Sequence, residues 1–344
     1  MDRQKESTPA SVIAERSFID VDERANAKDD ESCELVSRTG MADSKVSPAS
    51  RHYNTGRRMI EYLYLGRIGY DEGLRLQAEI AELRLRGRVE NVLLLLEHPP
   101  VLTLGRNARR ANVLATDEML ARRGVTLHEI NRGGDVTYHG PGQLVGYPIF
   151  DLRSLHNASG KRLGPVDFVR MMEEALIRLC GVYGVRAERI AGLTGVWCGD
   201  GPAGGSLSGE SGDSKSSRNE RKIGAIGIHV ARGITSHGFA FNVRTNLGDF
   251  QLINPCGITD RGVTSLEREA ARPEELPDLE TLAHEAARQF GLVFQEQVLA
   301  VESVDALREQ AARKQEFPAE DTPLTVPREV ERLLHGDAER PVRA

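Results

Sequence analysis

The chain has 344 residues, 40% of them hydrophobic, enough for one large domain or two small ones, and its longest aliphatic run (Val92-Leu93-Leu94-Leu95-Leu96) is strand-sized rather than membrane-sized. Its net charge of −6 divides into −1 over residues 1–58, +3 over 59–266 and −8 over 267–344, so the body lacks the dense basic stripe of a nucleic-acid binder. The four cysteines (Cys33, Cys180, Cys198 and Cys256) form no CxxC pair, which argues against a structural zinc or a disulfide framework, and no apolar segment follows Met1; a reduced, cytoplasmic protein is expected.

Residues 1–58 are polar, mixed in charge and without periodicity, and are expected to be a disordered arm. Order begins at Met59, which also marks a candidate translation start. Ile60 to Leu65 reads as a strand, and Asp71 is the expected cap of a helix carrying Leu76, Ile80 and Leu83 on one face. A buried strand (92–96), the turn His98-Pro99-Pro100 and a short strand (101–104) follow. Thr116 is expected to cap a brief helix; 125–130 and 143–149 read as further strands. Pro165 suits the first turn of a helix with Phe168, Met172, Leu176 and Leu179 inward, Cys180 among them, and Gly181 and Gly184 beyond its end. Gly and Ser fill 12 of the 22 positions from 199 to 220, too little apolar area for a core, so this segment is expected to be a flexible insertion between strands at 195–198 and 222–230. The second of these is expected to form a hairpin with 235–243. Beyond Leu266 the chain reads as acidic and helical, around 274–290 and 301–314, before a polar tail. The mildly basic body suits an acidic protein partner, and the arginines at 84, 86, 88, 106, 109 and 110 are its best candidate patch, with a solvated helix end and loop as the alternative reading.

Three segments carry candidate chemistry. Arg132-Gly133-Gly134-Asp135-Val136-Thr137-Tyr138-His139-Gly140-Pro141-Gly142-Gln143 is too rich in Gly and Pro for a regular strand, and reads as a loop that lets backbone N–H groups approach a ligand, with Tyr138 and His139 projecting from it. It is neither a Walker loop nor a dinucleotide fingerprint. A plain glycine-rich turn is the alternative. Asn254-Pro255-Cys256-Gly257 fixes a cysteine on a turn; a free thiol is only a few per cent thiolate at pH 7, so a nucleophilic role needs a cation or base nearby. Lys222 opens the otherwise apolar strand Lys222-Ile223-Gly224-Ala225-Ile226-Gly227 and is the candidate partner, because a desolvated lysine can lose its proton where an arginine cannot. Taken singly, a small buried cysteine and a strand-end surface lysine remain open readings of these two positions.

Together these segments resemble the lipoyl(octanoyl) transferase family, and the resemblance extends to Glu97-His98-Pro99-Pro100-Val101-Leu102-Thr103-Leu104-Gly105-Arg106, to His237-Gly238-Phe239-Ala240-Phe241-Asn242-Val243 and to Val263-Thr264-Ser265-Leu266 after the cysteine. It implies an α/β (α+β) fold, a mixed β-sheet flanked by helices as in the catalytic domain of biotin and lipoate protein ligases, over residues 59–290; the arm 1–58, the 199–220 insertion and the acidic helical extension and tail 291–344 depart from the family's pattern. It implies that Cys256 carries an acyl thioester with Lys222 as its acid/base. It also implies that Arg132, Gly133, Gly134, Asp135, Val136, Thr137, Tyr138 and His139, Ala225, Ile226 and Gly227, and Gly238, Phe239 and Ala240 line the acyl site. The expected donor is octanoyl-acyl carrier protein. The expected acceptors are lipoyl domains of 2-oxoacid dehydrogenase complexes and the glycine cleavage H protein, with no cofactor, metal, nucleic acid or membrane involved. An ATP-dependent lipoate or biotin ligase, a non-catalytic lipoyl-domain-binding protein and a cysteine peptidase are the competing readings; the Cys256–Lys222 pair favours the transferase over each.

Overall fold

The computed structural model describes residues 19–20, 58–157, 159–199, 219–254 and 261–316. Most of the expected arm and insertion, the tail from 317, and the Cys256 turn (255–260) lie outside the described residues.

In chain order the elements are β1 (Ile19–Asp20), β2 (Met59–Arg67), α1 (Tyr70–Leu85), β3 (Asn91–Glu97), β4 (Val101–Leu104), α2 (Asp117–Arg122), β5 (Thr126–Glu129), β6 (Val136–His139), β7 (Gln143–Ile149), α3 (Pro165–Val182), β8 (Glu188–Ile190), β9 (Leu193–Cys198), β10 (Arg221–Ala231), β11 (Ile234–Asn242), β12 (Gly262–Val263), α4 (Leu266–Glu269), α5 (Leu279–Phe294), β13 (Gln297–Ala300) and α6 (Val304–Glu316). The main sheet runs β13-β2-β3-β7-β11-β10-β9-β8, with β1 and β12 also pairing with β10, and a small sheet runs β5-β4-β6. Parallel pairs at β13, β2 and β3 give way to antiparallel pairs from β3 onward, so the sheet is mixed.

Strand β3 shows why the sheet must be covered on both sides. Every residue of it is buried, and alternate side chains serve opposite faces: Leu93 and Leu95 pack with α3 and α5 through Met172, Leu176, Leu282 and Phe290, whereas Val92, Leu94 and Leu96 pack with α1 and α6 through Leu76, Ile80, Leu307 and Ala311. Each such leucine contributes about 1.5–3 kcal/mol by leaving water. A third cluster under the small sheet joins Leu102, Leu104, Val136 and Tyr138 to Leu252 and Ile253.

Several local expectations are corrected. The N-cap of α1 is Gly69, and Asp71 lies in the first turn, where its charge favours the helix dipole without capping. Gly181 is inside α3; the helix closes at Gly184 (φ 71°), with the Val185 N–H reaching back to the Cys180 carbonyl. Val136–His139 is a strand, because these four of the five glycine-free residues between Gly134 and Gly140 find an antiparallel partner in β4. Strand β13 was not legible, and α5, whose Phe290 and Phe294 stack in the core, runs on to Phe294.

Glu296, between α5 and β13, is 8% exposed, and neither carboxylate oxygen has a hydrogen-bond partner among the described residues. Burial raises its pKa, and the opposing pull of Asn91, Arg58 and Arg84 does not compensate. A carboxyl with a raised folded pKa adds stability below its unfolded value and loses it as pH rises through the folded one. Glu296→Gln is therefore expected to raise the melting temperature at pH 7.5, by about 2–4 °C per kcal/mol relieved, with the gain shrinking towards pH 4. Equal gains at both pH values in a calorimetric scan would count against a buried charge there.

Candidate active site

The site is built on the β10–β11 hairpin. Ala225 pairs with Ala240 and Gly227 with Gly238, so four small residues share one face and leave a trough, while the intervening pair Ile226 and Phe239 joins the main core cluster and also borders the cleft. The loop before β6 crosses this trough. Gly133 donates its N–H to the Ile228 carbonyl at 3.0 Å, and its own carbonyl would stand 2.7 Å from any Cβ placed on Gly227. Only glycine permits that approach. Between the two sheets lies a cleft of about 970 Å³, counted out to its open mouth.

Lys222 stands at one wall. A register shift between Lys222 and Gly224 against β9 marks a bulge, and the Lys222 ammonium sits 4.6 Å above the Trp197 ring, which also carries the Arg261 guanidinium at 5.7 Å. Strand β12 runs parallel beside it, Lys222 opposite Val263, with the Thr264 N–H on the Lys222 carbonyl at 3.0 Å. Arg261, Gly262 and Val263, directly after the Cys256 turn, line the cleft, as does Phe250 before it.

Tyr70, His139, Tyr147 and His237 also line the cleft, with His98 buried beside Tyr70 and His139. His98 donates from Nδ1 to the Ile68 carbonyl (2.9 Å) and accepts at Nε2 from the Tyr147 hydroxyl (2.7 Å). His139 meets Gln143 at 2.8 Å, and His237, held at φ 56°, meets Asn131 at 2.8 Å. Burial pushes His98 down to about 4 and His139 and His237 down to about 3, and Arg132 adds to the effect on the last two. All three are neutral at pH 7. Arg132 itself is fixed by Thr103, through both carbonyl and hydroxyl, and by the Gly133 carbonyl.

Of the expected acyl-site residues, Arg132, Asp135, Val136, Thr137, His139, Ala225, Ile226, Gly227, Gly238, Phe239 and Ala240 line this cleft together with Lys222. Gly133, Gly134 and Tyr138 do not. Tyr138 turns into the third core cluster, 1% exposed, and its hydroxyl donates to Asp249. The N–H groups of Gly133 and Gly142 are already held by Ile228 and Glu97, so they are not oxyanion donors in this arrangement. Tyr70, Tyr147, Trp197 and Arg261 also line the cleft and were not foreseen; each arrives from an element whose docking, not whose sequence, brings it there. Cys180 and Cys198 are buried; burial raises both thiols, Cys198 to about 12, which leaves them inert. The expected basic cluster is partly spent on neighbours: Arg84 on Asn91, Arg86 on Glu82 and Arg110 on Asp117.

The lipoyl protein ligase A/B catalytic domain model matches residues 69–290. An octanoyltransferase of Acidobacterium capsulatum is 59% identical over 246 residues, 71% of this chain and 94% of that protein. The chain belongs to the octanoyltransferase family. A second family member, from Koribacter versatilis, is 45% identical over 280 residues, 81% of this chain and 98% of its own length. Octanoyltransferases are acyltransferases, and this chain is one by descent. The fold is shared more widely. A bipartite lipoate protein ligase from Thermoplasma acidophilum superposes with a TM-score of 0.52 at 16% identity, over 76% of this chain and 93% of that one. Lipoate-protein ligase A bound with ATP gives 0.51 at 15% identity, over 75% and 95%. Among the described residues no helix is long and apolar enough to cross a membrane.

Proposed function

We propose that the chain transfers an octanoyl group from octanoyl-acyl carrier protein to a lysine amine of lipoyl domains, through a thioester on Cys256. The acceptors are the lipoyl domains of 2-oxoacid dehydrogenase complexes and the glycine cleavage H protein, and the setting is the cytoplasm. The observation that carries this reading is the position of Lys222: it lines the cleft, hydrogen-bonded along the strand that follows the Cys256 turn.

The proton inventory closes with those two residues alone. Lys222 as ammonium holds the Cys256 thiolate by charge. The thiolate attacks the carrier thioester, the new C–S bond replaces the old one, and Lys222 gives its proton to the departing carrier thiolate. The neutral Lys222 then takes a proton from the incoming amine while the C–N bond forms and the C–S bond breaks, which restores thiolate and ammonium. A thioester is already activated, so no nucleotide is required. The small-residue trough between Ala225 and Ala240 suits the acyl chain, whose burial favours binding by about 0.8 kcal/mol per methylene.

Mixing the protein with octanoyl-carrier protein is expected to add about 126 Da, one octanoyl group, to its intact mass, and the gain is expected to vanish when a lipoyl domain is added. A wild-type protein that forms amide without ever showing the adduct would overturn the thioester route.

A further inference from the structure

His139 has no part in the proton inventory above, yet its surroundings have a fixed polarity. The Thr264 carbonyl can only accept, so Asn242 meets it with Nδ2 at 2.9 Å and turns Oδ1 towards Gln143. Gln143 Nε2 therefore donates, to Asn242 Oδ1 at 2.9 Å and to the Tyr138 carbonyl at 3.1 Å. Gln143 Oε1 is left as acceptor for His139 Nδ1 at 2.8 Å. Two backbone carbonyls thus set both amide orientations and the imidazole tautomer: the proton is on Nδ1 and the lone pair on Nε2. That lone pair has no hydrogen-bond partner among the described residues, and His139 lines the cleft. The neighbouring His98, its ring 6.1 Å away, differs, because the Tyr147 hydroxyl already occupies its Nε2.

The two half-reactions make different demands on such an acceptor. The attacking thiolate has no hydrogen to be held. The attacking amine has two: one leaves with Lys222, and the other must be oriented so that the nitrogen lone pair faces the thioester carbon. Resting on the Cys256–Lys222 reading, we propose that His139 is a further catalytic residue of amide formation, its Nε2 accepting the N–H that the lysine amine retains, with Gln143 and Asn242 as positioning residues. The C–N bond forms, the C–S bond breaks to return the Cys256 thiolate, one amine proton passes to Lys222 and the other stays as the amide N–H. The ring is suited to holding rather than removing that hydrogen: burial, with His98, Arg132 and His237, keeps it neutral against the opposing bond to Gln143.

The two half-reactions separate in single-turnover mass spectrometry, with octanoyl-carrier protein added first and a lipoyl domain second. His139→Phe is expected to slow amide formation about 100-fold more than it slows adduct formation, in kcat rather than in KM for the lipoyl domain. Gln143→Glu keeps the ring and serves if the first variant folds poorly. Its carboxylate stabilises the imidazolium, in which Nε2 donates instead of accepting, so amide formation is expected to fall away on the acid side at a higher pH than in the wild type. The groups facing the ring there are Tyr70, His98, His237 and Arg132. Amide formation by His139→Phe within about twofold of the wild type overturns the role. Equal loss of both half-reactions in folded protein also overturns it. So does a stall confined to Asp135→Asn, since Asp135, which also lines the cleft, has a buried Oδ1 without a hydrogen-bond partner among the described residues. Absence of the adduct from the wild type refutes the Cys256 reading itself, a result distinct from all of these.

Discussion

Cys256→Ser is expected to abolish octanoyl transfer, lowering turnover on the order of 10⁴-fold or more, and to leave no acyl adduct after incubation with octanoyl-carrier protein. The hydroxyl is close in size to the thiol but remains protonated at any pH where the protein is folded, and the Lys222 charge cannot make up that difference. Cys180→Ser and Cys198→Ser are the matched controls: both thiols are buried and far from thiolate at neutral pH, so both variants are expected to retain the adduct. An octanoyl adduct on Cys256→Ser, about 126 Da in intact mass, would place the acyl group on another residue.

Lys222 is expected to show two separable contributions. In the wild type, Cys256 is expected to react with iodoacetamide well below pH 8.5, where an ordinary thiol titrates. Lys222→Ala is expected to move that profile upward by about one unit or more, each unit being about 1.4 kcal/mol of lost thiolate stabilisation. It is also expected to slow amide formation about 10²–10⁴-fold. Lys222→Arg restores a cation above Trp197 and with it part of the alkylation profile, yet amide formation should still fail because a guanidinium does not take the amine proton. Charge survives in one variant and proton transfer in neither. If Lys222→Ala changes neither the alkylation profile nor the rate of amide formation, the lysine is only a strand residue.

Much of the architecture was legible because it follows from short-range physics. The aliphatic run of β3 has to be buried on both faces, and the three- and four-residue spacing of Phe168, Met172, Leu176 and Leu179 makes one helical face, both of which the structure contains. Strand β13 was hidden because Gln297–Ala300 is mostly exposed, so no alternation marks it. It becomes a strand only because β2 presents an open parallel edge. The glycine-rich segment was misjudged for a related reason: its composition forbids a long strand, but Val136–His139 needs only four residues and a partner in β4.

The residues of the site divide in the same way. The residues themselves offered the glycine-rich segment, Cys256 and Lys222 as candidates, because a lone lysine in an apolar strand and a glycine-rich run are visible without coordinates; the Ala225–Gly227 and Gly238–Ala240 stretches entered through the family resemblance. The tertiary structure decided the side to which each one turns. Pairing of Ala225 with Ala240 and Gly227 with Gly238 made their missing side chains into one trough, and burial took Tyr138 out of the cleft and into the core. It also linked Thr264, Asn242 and the His139–Gln143 pair, from three separate stretches of chain, into one hydrogen-bonded line. No sequence pattern encodes such a line, since the polarity of each bond is set by the carbonyl at its end, and that carbonyl arrives only when the sheet closes.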